Sequence, residues 1–497
     1  MGNRYSNRRA LAAIFTLAML SGQATFGQAA TRRLDGSIIT SADIDRSVTE
    51  LMKSAEVTGA GIAIFNHGKI AYLKGYGFRD KEQNLPLTVD SVMSAASFSK
   101  VAFAYLLMKL VDDGQLDLDR PIYQYLPKPL PEYPRYADLA SDQRYKQITA
   151  RMLLSHTSGF ANWRWLEDDH KLRIHFAPGS RFAYSGEGID LLQLVVEEVT
   201  HRPLAELMQD RVFTPIGMAR SSMIWEDRFE SDFANGYDEY GRSLGRKSWK
   251  KGDAAGSMMT TPHDFALFIQ AVMDGKGLKP RTRDQMLSPQ IQINSKHQFP
   301  SLNEAITDEN KSIRLSYGLA WGLYWTSYGK VFFKEGHDEG WRNYTACFEK
   351  QKTGIVIMTN SSNGEGIFKY LLETLLKNTF TPIAWEGYTP YDQLPARPPL
   401  KQHTRVAIDA RLLDGYEGRY VFPPNVVLTI RREGDHLSVQ ENDEPKQDLL
   451  PENNTDFFST VADDVYTFLR DKEGRVTAVV LHTGGDNIEI KRSASAR

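Results

Sequence analysis

The spacing of apolar residues predicts a mixed domain of helices and strands in the first part of the chain. Ile44, Val48 and Met52 follow the repeat of a helix. Residues 62–77, IAIFNHGKIAYLKGYG, are two apolar runs around a turn signal, which predicts a β-hairpin. Apolar runs at 330–333, 343–348 and 355–360 predict strands, and residues 367–378 show helical spacing.

The pattern changes after about residue 380. Residues 381–404 carry five prolines and have the composition of a linker. Residues 405–495 contain short alternating segments such as NVVLTIRREGDHLSVQ, separated by glycine-containing turns. We therefore expect a domain over 35–380, a proline-rich linker, and a small antiparallel β domain over 405–495, either a barrel or a sandwich.

Composition limits the class of partner. The chain has 497 residues, 41% of them hydrophobic, and a net charge of −2. This balance argues against a nucleic-acid partner and favours a small-molecule or peptide substrate. The eleven histidines show no metal-ligand spacing, so we expect no metal and no other cofactor.

The N-terminus has the order of a secretory signal peptide. Arg4, Arg8 and Arg9 precede the apolar run ALAAIFTLAML, and small residues follow up to Ala30. Cys347 is the only cysteine, so no internal disulfide can form. We expect residues 1–30 to be removed and the protein to be exported, to the periplasm or beyond the cell, without stable membrane insertion. The oligomeric state is not indicated.

Several short motifs match those of serine hydrolases, and their context separates them. The segment 241–245, GRSLG, fits a nucleophile elbow, but it lacks the buried strand that an elbow needs. Ser-x-x-Lys occurs at Ser248 and Ser327 in polar or turn-like surroundings. At Ser97 it opens the segment SFSKVAFAYLLMKLVDDGQ, which predicts a buried helix that ends near Gly114.

Ser97 and Lys100 are therefore the candidate nucleophile and base. Residues three apart share a helix face, and burial lowers the pKa of a lysine so that its neutral amine can take the serine proton. The N–H of Ser97 can also help to hold an oxyanion. The alternative is a helix-capping serine beside a solvated lysine. Tyr184 precedes another amphipathic segment, and a cation near its phenol would favour phenolate and make it a proton relay. The alternative is a tyrosine that serves only as a packed aromatic side chain.

The motifs together resemble the class C β-lactamase-like serine hydrolases, a family that includes D,D-peptidases, D-aminopeptidases and esterases. They occur in family order over about residues 40–380: SFSK, LLSHTSGF, PGSRFAYSGEG, VFTPIGM, AAGSMMTTPHDFALF, YGLAWG and EGHDEGW. The tail looks like the lipocalin-like β domain often attached to this family. The resemblance implies an α+β fold, with an antiparallel sheet packed by helices beside an all-helical part and the site between them.

The resemblance also implies roles for particular residues. Ser97 would be acylated, Lys100 would accept its proton, and Tyr184 would act as base or relay; His156 would be structural. The family usually has Tyr-x-Asn at its second motif, where the asparagine reads the amide of the substrate's side chain. Here Gly186 replaces that asparagine, which would open the site and weaken the case for a peptide or β-lactam substrate.

Two segments compete for the third motif. Lys352-Thr353-Gly354 is a literal Lys-Thr-Gly, but it lies in a polar run between two predicted strands, where a hairpin tip is expected. His337 precedes the first of these strands. We therefore expect His337 to replace the family's lysine and to contact Tyr184 or the substrate, with the Gly340 N–H as second oxyanion donor. The alternative is a polar turn with a solvated histidine.

These features predict a secreted serine hydrolase that forms an acyl-enzyme on Ser97. An esterase is the first choice, because Gly186 removes the amide-reading group. The alternatives are a D-aminopeptidase or D,D-peptidase, a β-lactamase, and a non-catalytic binding protein that retains the fold. The expected substrate is a small ester, amide or D-peptide-like molecule.

Overall fold

The computed structural model describes residues 30–493, except 398, 400, 423–425, 443–445, 462, 463, 484 and 485. Of the predicted signal peptide, residues 1–29 lie outside the described residues. Within this described part, no helix has both the length and the apolar character needed to cross a bilayer.

The helices follow the predicted periodicity closely. They are α1 (Ser41–Ser54), α2 (Phe98–Asp112), α3 (Ala150–Leu154), α4 (Gly186–Thr200), α5 (Leu204–Met208), α6 (Thr214–Ile216), α7 (Pro262–Asp274), α8 (Pro280–Met286), α9 (Phe368–Leu371), α10 (Ile383–Glu386) and α11 (Ala410–Tyr416). Thr40 and Thr261 cap α1 and α7 by accepting hydrogen bonds from N–H groups of their first turns. Helix α2 is buried nearly all round, as its apolar sequence predicts.

The strands of the first part form one large antiparallel sheet and three two-stranded pairs. They are β1 (Thr31–Arg32), β2 (Ile38–Ile39), β3 (Gly59–Asn66), β4 (Lys69–Asp80), β5 (Leu85–Pro86), β6 (Met93–Ser94), β7 (Gly236–Tyr237), β8 (Ser243–Gly245), β9 (Met259–Thr260), β10 (Ile291–Gln292), β11 (Ser316–Tyr317), β12 (Gly322–Thr326), β13 (Gly329–Asp338), β14 (Trp341–Phe348) and β15 (Thr353–Thr359). The large sheet has the order β10-β11-β12-β13-β14-β15-β3-β4-β5.

Two hydrophobic cores cover the two faces of this sheet. Ile62 and Ile64 of β3 face the core that holds α1 and α9, while Ala63 and Phe65 face the core that holds α2 and α7. Helix α7 approaches the sheet closely at Gly61, where a Cβ would lie 2.2 Å from the ring of Pro262. The sheet thus carries helices on both faces, which confirms the expected α+β fold.

The C-terminal strands close into a barrel of eight, which decides between the two predicted architectures. They are β16 (Gly418–Phe422), β17 (Val426–Glu433), β18 (His436–Glu441), β19 (Gln447–Pro451), β20 (Asp456–Ser459), β21 (Val465–Arg470), β22 (Val476–Thr483) and β23 (Asp486–Arg492). Closure comes from antiparallel pairing of β16 with β23, where Tyr420 lies opposite Arg492. Alternation along the strands sends Leu428, Ile430 and Tyr420 into the barrel core.

The predicted linker packs against the first domain. Ile383, Trp385 and Tyr388 are buried in the core beneath α1 and α9, and α10 lies among them. The barrel also reaches the first domain at the ring of Phe422, whose centroid lies 4.6 Å from that of His170.

Candidate active site

Ser97 lies at the start of the buried helix α2, where backbone N–H groups have no acceptor within the helix. The preceding Ala96 has φ +47°, a left-handed conformation that turns the chain sharply from β6 into the helix. Lys100 Nζ donates a hydrogen bond of 2.9 Å to Ser97 Oγ. The structure therefore brings the candidate nucleophile and base into direct contact.

Lys100 is set up to act as a base. Its side chain is buried, and Nζ also donates to the Ala255 carbonyl at 2.6 Å, which fixes the amine beside the serine. Burial, and then the positive charge of Lys334, lower the pKa of Lys100 to about 7. At neutral pH about half of the amines are neutral and able to accept a proton.

Tyr184 lies beside the same amine. Its ring centroid is 5.1 Å from Lys100 Nζ, and its hydroxyl accepts a hydrogen bond of 3.2 Å from Lys334 Nζ. Burial, and then the charge of Glu335, raise the pKa of Tyr184 well above its ordinary value. The phenol therefore stays protonated, contrary to the expectation that neighbouring cations would favour phenolate, because desolvation outweighs them.

His156 supports Tyr184 from behind, in keeping with its expected structural role. The two rings lie 4.3 Å apart, and His156 Nδ1 accepts a hydrogen bond from the Ser185 N–H at 3.2 Å. Burial, and then the charge of Lys100, lower the pKa of His156 well below its ordinary value. The imidazole is therefore neutral and serves to position the tyrosine.

The third wall of the site is Lys334-Glu335-Gly336 on β13, a segment that was not predicted from the sequence. Lys334 is fully buried, and its Nζ bonds both Tyr184 and, at 2.5 Å, Glu335. Gly336 lies against the turn before Ser97, since a Cβ there would be 2.7 Å from the Ala95 carbonyl oxygen. The sequence signal that could have identified this segment is its Lys-x-Gly pattern directly after a predicted strand. The pattern is easy to overlook because glutamate replaces the threonine of Lys-Thr-Gly.

His337 does not make the expected contact with Tyr184. Successive side chains of a strand point to opposite faces, so His337 points away from Lys334. Its imidazole is more than half exposed, with Nδ1 3.5 Å from Glu365. Gly340 lies in the β13–β14 turn at φ +80°, and its N–H donates to Ser362 Oγ at 3.0 Å. Its N–H is therefore already engaged, unlike the free oxyanion donor that the sequence suggested.

The literal Lys-Thr-Gly is outside the site, as expected. Lys352 lies in the turn between β14 and β15, and its amine pairs with exposed Asp274 at 2.7 Å. Gly354 lies inside β15, and Lys352, at φ +48°, takes the turn conformation. The GRSLG segment lies at the β7–β8 pair, outside the site built around Ser97.

Gly186 does not open the site as expected. It begins α4, and its N–H donates to the carbonyl and to the side-chain oxygen of Asn162, both at 3.0 Å. The space beyond its Cα is filled by the indole of Trp163, 2.3 Å from where a Cβ would stand. The second motif thus lacks its asparagine, and the Trp163 ring fills the space next to Gly186 where that side chain would begin.

Among the residues that the structure describes, no strand pairs with one edge of β13 beyond Phe333, close to the nucleophile. Strand β12 pairs only with residues 329–333, while β14 pairs with residues 331–338. The β12–β13 and β13–β14 hairpins both end in two-residue turns. The backbone N–H and C=O groups of even-numbered β13 residues therefore bond to β14, while those of odd-numbered residues point towards the β12 side. The backbone N–H of His337 therefore points to this open edge. The segment that leads into Ser97 lies next to it, because Asn343 Nδ2 donates a hydrogen bond of 3.1 Å to the Ser94 carbonyl.

A buried polar network continues from the site into the linker. Glu335 accepts a second hydrogen bond from Gln298 Nε2 at 3.2 Å, and the Gln298 N–H donates to the Trp385 carbonyl at 2.8 Å. The next residue, Glu386, accepts from the Tyr344 hydroxyl at 3.1 Å. Burial, and then the charge of Glu335, raise the pKa of Glu386 well above its ordinary value, which favours its neutral form.

A helix-flanked antiparallel sheet with a Ser–Lys pair at the head of a buried helix defines a serine hydrolase. The chain belongs to the β-lactamase family, which matches residues 44–376. Residues 402–492 match a family described as a domain of unknown function, DUF3471.

Two relatives illustrate the similarity, and one of them is named as an esterase. Esterase EstB of Burkholderia gladioli is 29% identical over 226 residues, which are 40% of this chain and 56% of EstB. Protein flp of Staphylococcus aureus strain N315 is 23% identical over 335 residues, 64% of this chain and 62% of that protein. The chain thus spans less than two thirds of the length of either relative.

Solved structures show the same fold. The octameric penicillin-binding protein homologue from Pyrococcus abyssi has a TM-score of 0.55 at 21% identity, over 90% of this chain and 99% of that one. The D-alanine carboxypeptidase AmpC from Burkholderia cenocepacia has a TM-score of 0.52 at 22% identity, over 64% of this chain and 93% of that one.

Proposed function

We propose that the protein is an esterase that works through an acyl-enzyme on Ser97. The observation that carries this proposal is the buried Lys100 amine, 2.9 Å from Ser97 Oγ, with a pKa lowered to about 7. A serine alcohol is a weak nucleophile unless a neighbouring base takes its proton. Neutral Lys100 is such a base at neutral pH.

The reaction follows from the placement of the groups. Lys100 takes the proton of Ser97 as Oγ attacks the ester carbonyl carbon, and the carbonyl oxygen becomes an oxyanion between the N–H groups of Ser97 and His337. Collapse breaks the bond to the alcohol, which leaves with a proton relayed through Tyr184. Water then attacks the acyl-serine with the same proton acceptor, releasing the acid and restoring Ser97.

Two observations favour esters. The second motif lacks the amide-bearing asparagine, and Trp163 fills its place. Among the relatives, EstB is named as an esterase. A D-peptide hydrolase is the second candidate, because the open edge of β13 offers backbone groups that an extended peptide could pair with.

The test combines covalent capture with a substrate comparison. A fluorophosphonate probe should label the wild type on the peptide that contains Ser97, and Ser97→Ala should abolish the label. Short p-nitrophenyl esters should be turned over faster than D-amino-acid p-nitroanilides and nitrocefin. Absence of both labelling and ester turnover in the folded wild type would instead favour a binding protein that retains the fold.

We also propose that the protein is exported, on the basis of the arginine-rich, apolar and small-residue order of residues 1–30. Expression of the full chain, cell fractionation and N-terminal sequencing test this. A mature protein that begins near residue 30 outside the cytoplasm is expected, and an intact N-terminus in the cytoplasm would contradict export.

A further inference from the structure

We propose that Trp163 builds an aromatic subsite for the acyl group of the ester, so that the preferred substrates carry an aromatic or bulky apolar acid. This inference rests on the proposed esterase function. The resemblance places at residue 186 the group that reads the acyl side of the substrate. In this chain the flat face of an indole takes that place.

The contact between Trp163 and Gly186 shows how the space is occupied. A Cβ on Gly186 would lie 2.3 to 2.6 Å from three carbons of the Trp163 ring, closer than unbonded atoms approach. No side chain fits at position 186 unless the indole moves. Gly186 and Trp163 therefore form one matched pair, in which the glycine makes room for the tryptophan.

The indole lies beside the reacting groups. Its ring centroid is 6.0 Å from Lys100 Nζ, the same atom that bonds Ser97 Oγ. Trp163 also stacks on Trp165 with centroids 4.5 Å apart and planes only 10° apart. Two parallel indoles thus extend outwards from beside the Lys100 amine, as a wall against which a planar or branched apolar group can pack.

A buried ion pair fixes this wall. The residue after Trp163 is Arg164, and the residue after Gly186 is Glu187. Arg164 donates from Nε and Nη2 to the two oxygens of Glu187, at 2.8 and 2.7 Å, and both side chains are buried. A bidentate pair of this kind holds its two backbones in one orientation. The indole is therefore positioned before substrate arrives.

Exposed apolar side chains continue the subsite to the surface. Trp165 and Leu166 are 39% and 66% exposed, and Phe299, whose ring lies 5.4 Å from that of Tyr184, is 42% exposed. The Asn162 N–H donates to Ser301 Oγ at 3.1 Å, which ties the two loops together. An apolar rim that is continuous with a nucleophile is suited to the apolar part of a substrate.

The experiment compares two esters of the same alcohol, p-nitrophenyl acetate and p-nitrophenyl phenylacetate. Wild type should prefer the phenylacetate in kcat/KM. Trp163→Ala should lower kcat/KM for the phenylacetate by on the order of tenfold more than for the acetate, and Trp163→Phe should restore part of the preference. The control Phe380→Ala removes an exposed aromatic next to Tyr324, outside the site, and should keep the wild-type ratio.

Gly186→Ala provides a second test, because it keeps the tryptophan but displaces it. Alanine favours a helix more than glycine does, so lost selectivity would not reflect a less stable helix. An equal loss on both esters in Trp163→Ala, or a wild type that shows no preference for the larger acid, would overturn the subsite. Failure to hydrolyse either ester, together with no fluorophosphonate labelling, would instead count against the esterase itself.

Discussion

Lys334, rather than the neighbouring His337, should contribute to turnover. The perturbation is Lys334→Met, which keeps the length of the side chain and removes its charge. In the structure this amine is buried and donates to the Tyr184 hydroxyl at 3.2 Å. The matched control is His337→Ala, because that imidazole is exposed while its backbone N–H, the proposed oxyanion donor, survives the substitution.

The size of the effect follows from the contacts that are lost. A hydrogen bond from a charged group contributes about 1.5–3 kcal/mol, so kcat/KM should fall by roughly ten- to a hundredfold at about 1.4 kcal/mol per factor of ten. The substitution also leaves Glu335 buried without its cation, which costs about 3–5 kcal/mol of stability. The double variant Lys334→Met/Glu335→Gln removes that uncompensated charge and separates the two effects.

The assay is steady-state hydrolysis of p-nitrophenyl acetate, with urea unfolding to confirm that each variant is folded. We expect Lys334→Met and the double variant to lose activity to a similar degree, the double variant to be the more stable of the two, and His337→Ala to stay within about threefold of wild type. A folded Lys334→Met enzyme with wild-type kcat/KM, or a loss in His337→Ala as large as that in Lys334→Met, would refute the assignment of the third wall.

Three further predictions concern other parts of the molecule. Because neutral Lys100 is the active form and its pKa is lowered to about 7, kcat/KM should fall by about tenfold per pH unit below that value. A kcat/KM that stays constant from roughly pH 5 to roughly pH 7 in a folded enzyme would contradict this. Arg164→Met should cost about 3 kcal/mol in urea unfolding, since buried Glu187 would lose its bidentate partner and keep the longer 3.5 Å contact with Arg135; unchanged stability would be inconsistent with the pair. Lys352→Ala should leave ester turnover unchanged, because its amine pairs with exposed Asp274 away from Ser97, and a large loss would place the literal Lys-Thr-Gly in the site after all.

The sequence predicted most of the fold because its periodic signals are local. The hairpin at Asn66-His67-Gly68 is present between β3 and β4, with both His67 and Gly68 at positive φ. The contact of Ser97 with Lys100 also follows from helix geometry alone. The closed barrel could not be told from a sandwich, since closure depends on pairing between the first and last strands, β16 and β23.

The predictions for His337 and Gly186 were wrong because their side-chain environments depend on strand alternation and on packing between distant parts of the chain. Placing the third motif at His337 required the phase of β13, and the phase that the structure shows turns Lys334 towards Tyr184 instead. The role of Gly186 depended on Trp163, which lies 23 positions earlier in the chain and reaches it only through the fold. Neither contact leaves a periodic signal in the sequence.

The position of Glu386 decides where the catalytic domain can be cut and joined to another C-terminal domain. The family match ends at residue 376, yet the buried Glu386 side chain and its neighbour Trp385 complete the network behind Lys334 from beyond that limit. A chimera that joined a foreign tail directly at residue 380 would keep every motif and still lack the groups that back them. A chimera that exchanges the barrel between relatives should therefore keep this chain through Tyr388. The segment that must stay together is longer than the segment that matches the family.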